Sequence, residues 1–216
     1  MHIYGSFGPN PRALRIFLSE KRLDIATTEV DLVGGENRRP PYTDRNPGGQ
    51  LPSLQLDDGS VLAETVAIFE YLEELHRTPA LIGTNAKERA ETRMWQRRIE
   101  LRITENIYNG FRFSEGLGLF SGRMRCLPEA AAGLKATAQD SLRWLDALLG
   151  SKHFVVDDRF TIVDIILFCA LDFGISVGQP LPADCPNLVR WFETLAKRPS
   201  IVASLHPASQ ATGMRG

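Results

Sequence analysis

The chain has little cysteine: three residues, Cys126, Cys169 and Cys185, with no Cys-x-x-Cys pair among them. An odd, scattered set of that kind excludes a disulfide framework and a structural zinc site, leaves no metal expected, and suits a reducing compartment. Charge of one sign is equally scarce. Lys plus Arg number 25 against 26 Asp plus Glu, a formal net charge of -1, with the signs interspersed. Without a basic stripe there is no electrostatic footprint for nucleic acid or for an anionic membrane surface. The opening run MHIYGSFGPN has no charged region followed by an apolar one, so it does not read as a signal peptide, and the cytoplasm is the expected location. Long hydrophobic runs are missing too. The most apolar stretch, TIVDIILFCALDF from Thr161 to Phe173, is much shorter than the ~20 residues a bilayer span needs.

What is present is ordinary globular composition, 43% hydrophobic and 24% charged over 216 residues. The first third mixes strand and helix signals. His2 to Gly5 is a short apolar strand; Leu14, Phe17 and Leu18 then recur at helical spacing up to about Lys21. ATTEVDL, residues 26–32, alternates and is β-branched, which predicts a strand parallel to the first with a right-handed crossover. PSLQLDDGSVLA, residues 52–63, predicts a hairpin turning at Asp58-Gly59, and Val66, Phe69 and Leu72 start a helix that runs to about His76. Pro79 and Gly83 mark a linker.

Helices follow. Trp95, Ile99, Ile103, Ile107 and Phe111 repeat every fourth residue behind a cap near Asn85. Leu134, Ala138, Leu142, Leu145 and Leu149 mark a second helix, and Leu188, Trp191, Phe192 and Leu195 a third, closed before Pro199. The Thr161–Phe173 run, apolar on nearly every side, predicts a helix buried in the middle of them. Thr161 and Asp164 stand at capping-box spacing, with Phe160 and Ile165 placed as a staple. The expected architecture is an α/β unit at residues 1–76, a linker at 77–87 and an all-helical domain at 88–216.

The stretch YGSFGPNPRALRIFLSEK poses the functional question, because a strand runs through an elbow into a helix and a glycine, Gly8, stands where a reactive side chain is expected. That stretch, NPGGQLPSLQLDDGSVLAETVAIFEYLEEL and FTIVDI together resemble a cytosolic glutathione transferase across the whole chain. GPNP, VGGENRRPPY, QLDDG and WQRRIEL are most similar to an atypical fungal and bacterial group of that family, typified by the second glutathione transferase of baker's yeast. The resemblance implies a thioredoxin-like amino-terminal domain, an all-α carboxy-terminal domain, glutathione as co-substrate, a homodimer and a detoxifying conjugation. It also implies that no tyrosine, serine or cysteine side chain at the elbow activates the thiol, and that only a small residue is tolerated there.

A glutathione thiol, with a pKa near 8.5 as for cysteine, is mostly protonated at neutral pH. A helix N-terminus carries roughly half a positive charge and unpaired N–H donors, which favour a thiolate. Gly8 leaves room for the sulfur, Pro9 and Pro11 suit the first turn, and Asn10 reads as a cap. By resemblance, Pro52 is cis, Leu51 offers its backbone to the cysteinyl part of glutathione, and Gln50 reaches the glycine end. The resemblance gives Glu64 and Thr65 to the γ-glutamyl group, and Arg38 and Arg39 stand either as partners of the glycine carboxylate or as a solvated basic pair. In the related group a histidine and a hydroxyl residue hold a water that takes the thiol proton, yet YNGFRFSEGLG, residues 108–118, contains no histidine. Ser114, Arg112 and Ser6 are the substitutes. Tyr108, Phe111 and Phe113 are the expected lining for a small apolar electrophile. Two alternatives stay open: a glutathione-dependent lyase, etherase, dehalogenase, isomerase or peroxidase, given a likeness of YGSFGPN to bacterial β-etherases, and a non-catalytic binding module on the same fold.

Overall fold

A computed structural model describes all 216 residues. The amino-terminal third forms β1 (His2–Gly5), α1 (Pro9–Lys21), β2 (Thr27–Glu29), α2 (Tyr42–Arg45), β3 (Ser53–Gln55), β4 (Val61–Ala63) and α3 (Thr65–Leu75). The sheet order is β2-β1-β3-β4, with β1 and β2 parallel and the other pairs antiparallel. This is the thioredoxin-like arrangement. Only three residues of the predicted second strand pair, and all three are exposed at the sheet edge. The hairpin closes as its sequence dictates: Asp58 Oδ1 accepts the Ser60 N–H at 2.9 Å, and Gly59 takes φ +87°. α1 and α3 are joined by the stacked rings of Phe17 and Phe69, 4.5 Å apart.

The rest is helical: α4 (Ala86–Ile99), α5 (Glu105–Arg112), α6 (Leu117–Phe120), α7 (Ala131–Leu149), α8 (Ile162–Ser176), α9 (Pro186–Ala196), α10 (Pro199–Val202) and α11 (Ala208–Thr212). None of the helices is long and apolar enough to cross a membrane. Asn85 caps α4 by accepting the Glu88 N–H at 3.0 Å. The fourfold stripe that follows is not one uninterrupted α-helix, because residues Glu100–Thr104 form a π-turn in which the Glu105 N–H reaches the Glu100 carbonyl. The reason is in the spacing. A step of four residues overshoots a 3.6-residue turn by about 40°, so a long fourfold stripe drifts around an α-helix, and one wide turn brings it back. Ile99, Ile103, Ile107 and Phe111 are all buried as a result.

α8 is buried from Ile162 to Gly174. Its start carries the predicted capping box: Asp164 Oδ2 accepts the Thr161 N–H at 3.0 Å and Thr161 Oγ1 accepts the Val163 N–H at 3.3 Å. Asp164 Oδ1 also takes the Val155 N–H and Trp191 Nε1–H. Phe160 packs against Phe154 and lies under the Arg198 guanidinium. The core is continuous between the two halves, running from Ile3, Leu14 and Phe17 through Ile103 to Phe168 and Trp191.

Candidate functional site

β1 ends at Gly5, and Ser6, Phe7 and Gly8 turn the chain into α1. Gly8 sits at φ 124°, ψ 163°, a backbone region essentially reserved for glycine. A Cβ there would meet only Pro11 Cδ, at 3.8 Å. Conformation therefore demands the glycine, in addition to any room it leaves for a ligand. Asn10 is not the cap: Gly8 is, and Asn10 is the second helical residue, with no side-chain cap bond. Pro9 and Pro11 have no N–H, so the first three helical positions offer one donor, Asn10, whose N–H is unpaired within the chain. From behind, Gly216 packs so closely on the Gly8 backbone that a side chain at 216 would collide with it.

The Leu51–Pro52 peptide is cis. Gln50 is held by its carbonyl, which accepts from Tyr42 Oη at 2.6 Å and Asn46 Nδ2 at 2.8 Å. Leu51 is different: neither its N–H nor its C=O bonds to anything in the chain. Glu64 takes φ 68°, ψ 118° at the N-cap of α3, its carboxylate without a cation in reach, while its carbonyl accepts the Ile68 N–H.

These elements meet in two openings that share a wall. The first, about 760 Å³, has Gly8, Asn10, Gln50 and Leu51 on one side and Tyr108 and Phe111 of α5 on the other. The second, about 540 Å³, holds Pro52, Glu64, Thr65 and Glu105 and shares Asn10, Gln50 and Leu51 with the first. Arg112 stands where they join, its guanidinium 5.8 Å from the Tyr108 ring centre. Arg38 lines the first opening. Burial, and then the positive charges of Arg123 and Arg112, hold its pKa below the usual guanidinium value.

Four sequence candidates lie elsewhere. Ser6, 2% exposed, donates its hydroxyl to the Val30 carbonyl at 2.8 Å and does not line either opening. Ser114 hydrogen-bonds the Gly110 carbonyl and the Glu115 carboxylate, each at 2.5 Å, because a helix-end hydroxyl finds its nearest acceptor one turn back. Phe113 is buried away from both openings, and Arg39 is exposed, donating to Gly34 O at 3.2 Å. The residues sequence reasoning missed are Phe7, Leu32, Asn37, Leu119, Phe120, Arg123, Phe173 and Met214, all on the first opening. Arg123 and Met214 sit in irregular segments, where no periodicity could have flagged them.

The first opening contains no Asp, Glu or His side chain, so it has no general base. It has a donor. Burial raises the Tyr108 phenol well above its usual pKa of 10, so it stays protonated, and its hydroxyl makes no hydrogen bond within the chain. The cysteines do not compete for this role: all three are unpaired, and Cys169 is buried with its thiol pushed up to about 12.

The family models that match are the glutathione S-transferase N-terminal domain, over residues 7–75, and the glutathione S-transferase C-terminal domain, over residues 128–199. The chain is 30% identical over 210 residues to glutathione S-transferase 2 of Saccharomyces cerevisiae, covering 95% of this chain and 89% of that one. It is 44% identical over 199 residues to maleylacetoacetate isomerase of Pseudomonas aeruginosa, covering 91% of each. The crystal structure of Gtt2 from S. cerevisiae superposes with a TM-score of 0.88 at 30% identity, over 95% of this chain and 100% of that one. A glutathione S-transferase domain-containing protein of Marinobacter aquaeolei gives 0.87 at 33% identity, over 93% of this chain and 100% of that one.

Proposed function

The chain belongs to the glutathione S-transferase family, and we propose that it activates glutathione as its thiolate and directs it at small electrophiles with an apolar body. One observation carries this reading: Leu51, next to a cis proline and lining the same opening as the Gly8 elbow, has an N–H and a C=O with no partner in the chain. An extended cysteinyl residue pairs with such a main chain as a strand pairs with an edge. Glu64 then meets the γ-glutamyl ammonium, while the Thr65 hydroxyl and the start of α3 take its carboxylate. Gln50 and Arg38 receive the glycine end.

With glutathione so held, the sulfur lies against the start of α1. The helix macrodipole, the Asn10 N–H and the Tyr108 hydroxyl favour the thiolate, with Arg112 adding positive charge. The proton leaves to water, since no carboxylate or imidazole lines the first opening. Ser114 and Ser6 spend their hydroxyls inside the protein and take no part. The thiolate attacks the electrophilic carbon, the carbon–sulfur bond forms, and the leaving group departs with its electron pair.

The same reading places the boundary of the glutathione-binding domain at residue 76, the linker at 77–87 and the helical domain from 88. It makes the protein a cytoplasmic homodimer that disposes of reactive compounds. Isomerisation is a second reading, favoured by the 44% identity to the Pseudomonas isomerase. There the thiolate adds to a conjugated carbon and is expelled after bond rotation, so glutathione is not consumed. Measuring glutathione stoichiometry separates the two.

Calorimetry tests the common core. Glutathione binds the wild type, and Glu64→Ala raises the dissociation constant at least ~10-fold, about 1.4 kcal/mol for a lost charge-assisted bond. Equal affinity in the two proteins rejects the site. Sedimentation tests the dimer.

A further inference from the structure

Three guanidiniums, those of Arg38, Arg112 and Arg123, line the first opening, and none of them forms a salt bridge in the protein. Like charges are not gathered at a half-buried wall without cost. Arg38 registers that cost, as its pKa is pulled down by burial and by the fields of Arg123 and Arg112. Asp31 acts on Arg123 from outside the opening, but burial outweighs it. Glu105, which shares the second opening with Arg112, lies outside the first.

The arrangement around Phe120 is specific. Arg112 and Arg123 flank its ring, with guanidinium carbons 5.6 and 5.9 Å from the ring centre. Arg123 is anchored by Nη2, which donates to the Leu32 carbonyl at 2.8 Å and the Val33 carbonyl at 3.2 Å. Its Nη1 is buried and has no partner in the chain. Arg112 donates only to Asn109 Oδ1, at 3.0 Å. One arginine comes from the end of α5 and the other from the segment after α6, and both line the opening together with Phe111, Leu119 and Phe120.

Under the transferase reading, the glycine carboxylate of glutathione occupies Arg38 and the thiolate faces Gly8. Arg123 has no part of glutathione assigned to it, and Arg112, whose charge also favours the thiolate, reaches the same Phe120 ring. We propose that the second substrate is an organic anion, an aromatic or unsaturated body bearing a carboxylate-like group, seated with the anion between Arg123 and Arg112 and the body on Phe120. The inference rests on the transferase reading for its assignment to the second substrate. The anion subsite stands on the arginines and Phe120 alone.

A pair of fluorescent probes with one body tests it: 8-anilinonaphthalene-1-sulfonate, an anion, and N-phenyl-1-naphthylamine, its uncharged parent. Both are titrated into the full chain saturated with S-methylglutathione. The wild type binds the sulfonate more tightly than the parent. In Arg123→Gln and in Arg112→Gln the ratio of the two affinities falls at least tenfold, and Arg123→Lys, which keeps the charge, restores most of it. An unchanged ratio in both glutamine variants, or a wild type that prefers the neutral probe, overturns the proposal. Calorimetry with S-methylglutathione is read separately. If it fails to bind while the ratio behaves as stated in the unliganded protein, the transferase reading falls and the anion subsite remains.

Discussion

Arg12 and Asp172 form a buried ion pair, Nη1 to Oδ2 at 2.5 Å, that ties the helix behind the Gly8 elbow to the buried helix of the carboxy-terminal half. Arg12 Nε also donates to Ser204 Oγ at 2.9 Å, and Arg215 reaches the same carboxylate oxygen of Asp172 at 2.9 Å. The elbow is therefore positioned from the opposite domain.

Asp172→Ala leaves the Arg12 charge buried and unpaired, and costs about 3–5 kcal/mol. Urea denaturation measures it. The double variant Arg12→Met/Asp172→Leu recovers most of the loss, because an apolar pair avoids the desolvation penalty. Equal stabilities of Asp172→Ala and wild type contradict the pairing.

Gly8→Ala isolates the elbow. With φ at 124°, any side chain costs about 1–3 kcal/mol of backbone strain, so stability falls even though a Cβ meets no close neighbour in the protein. Conjugation also slows, and the ultraviolet thiolate absorbance of bound glutathione titrates at a higher pH than in wild type. A folded Gly8→Ala protein with unchanged thiolate titration and rate rules out the helix start as activator.

Tyr108→Phe and Ser6→Ala separate the two hydroxyl candidates. Removing the unpaired Tyr108 hydroxyl raises the bound-thiol pKa and lowers kcat about ten-fold or more, in the range of a lost transition-state donor. Ser6→Ala leaves the titration in place and reduces stability by about 1 kcal/mol, the value of a buried hydrogen bond. The reverse pattern assigns the role to Ser6.

Asp164 sets a pH dependence of stability. Burial is the dominant cause of its raised pKa, from 3.8 to about 6, against the hydrogen bonds from Val155, Thr161 and Trp191. The folded protein therefore holds this proton more tightly than the unfolded chain does. The resulting stabilisation is complete below 3.8 and is lost as pH rises through about 6. In urea titrations across that window, the stability advantage of wild type over Asp164→Asn narrows as pH increases. A constant or widening advantage shows that the carboxylate is ionised throughout.

Residues a few positions apart determine a good deal by themselves. The Asp58-Gly59 hairpin, the Asn85 cap, the Thr161–Asp164 box, the apolar periods of α7 and α9 and the uniformly apolar run of α8 all involve bonds or faces completed within one or two turns. Local composition is enough to specify them. Gly8, Gln50, Leu51, Glu64 and Thr65, which line the two openings, stand out in the sequence for another reason: each belongs to a short motif with recognisable neighbours. Tertiary structure alone decided which way the side chains between those motifs point. Ser6 turns inward because the Val30 carbonyl lies beside it. Asn10 lines the opening because Gly8 has already taken the cap position. Arg123 joins Arg38 and Arg112 because the segment after α6 folds back onto Leu32 and Val33, some 90 residues earlier. Contacts over such separations depend on how two domains pack, and packing leaves no period in the sequence.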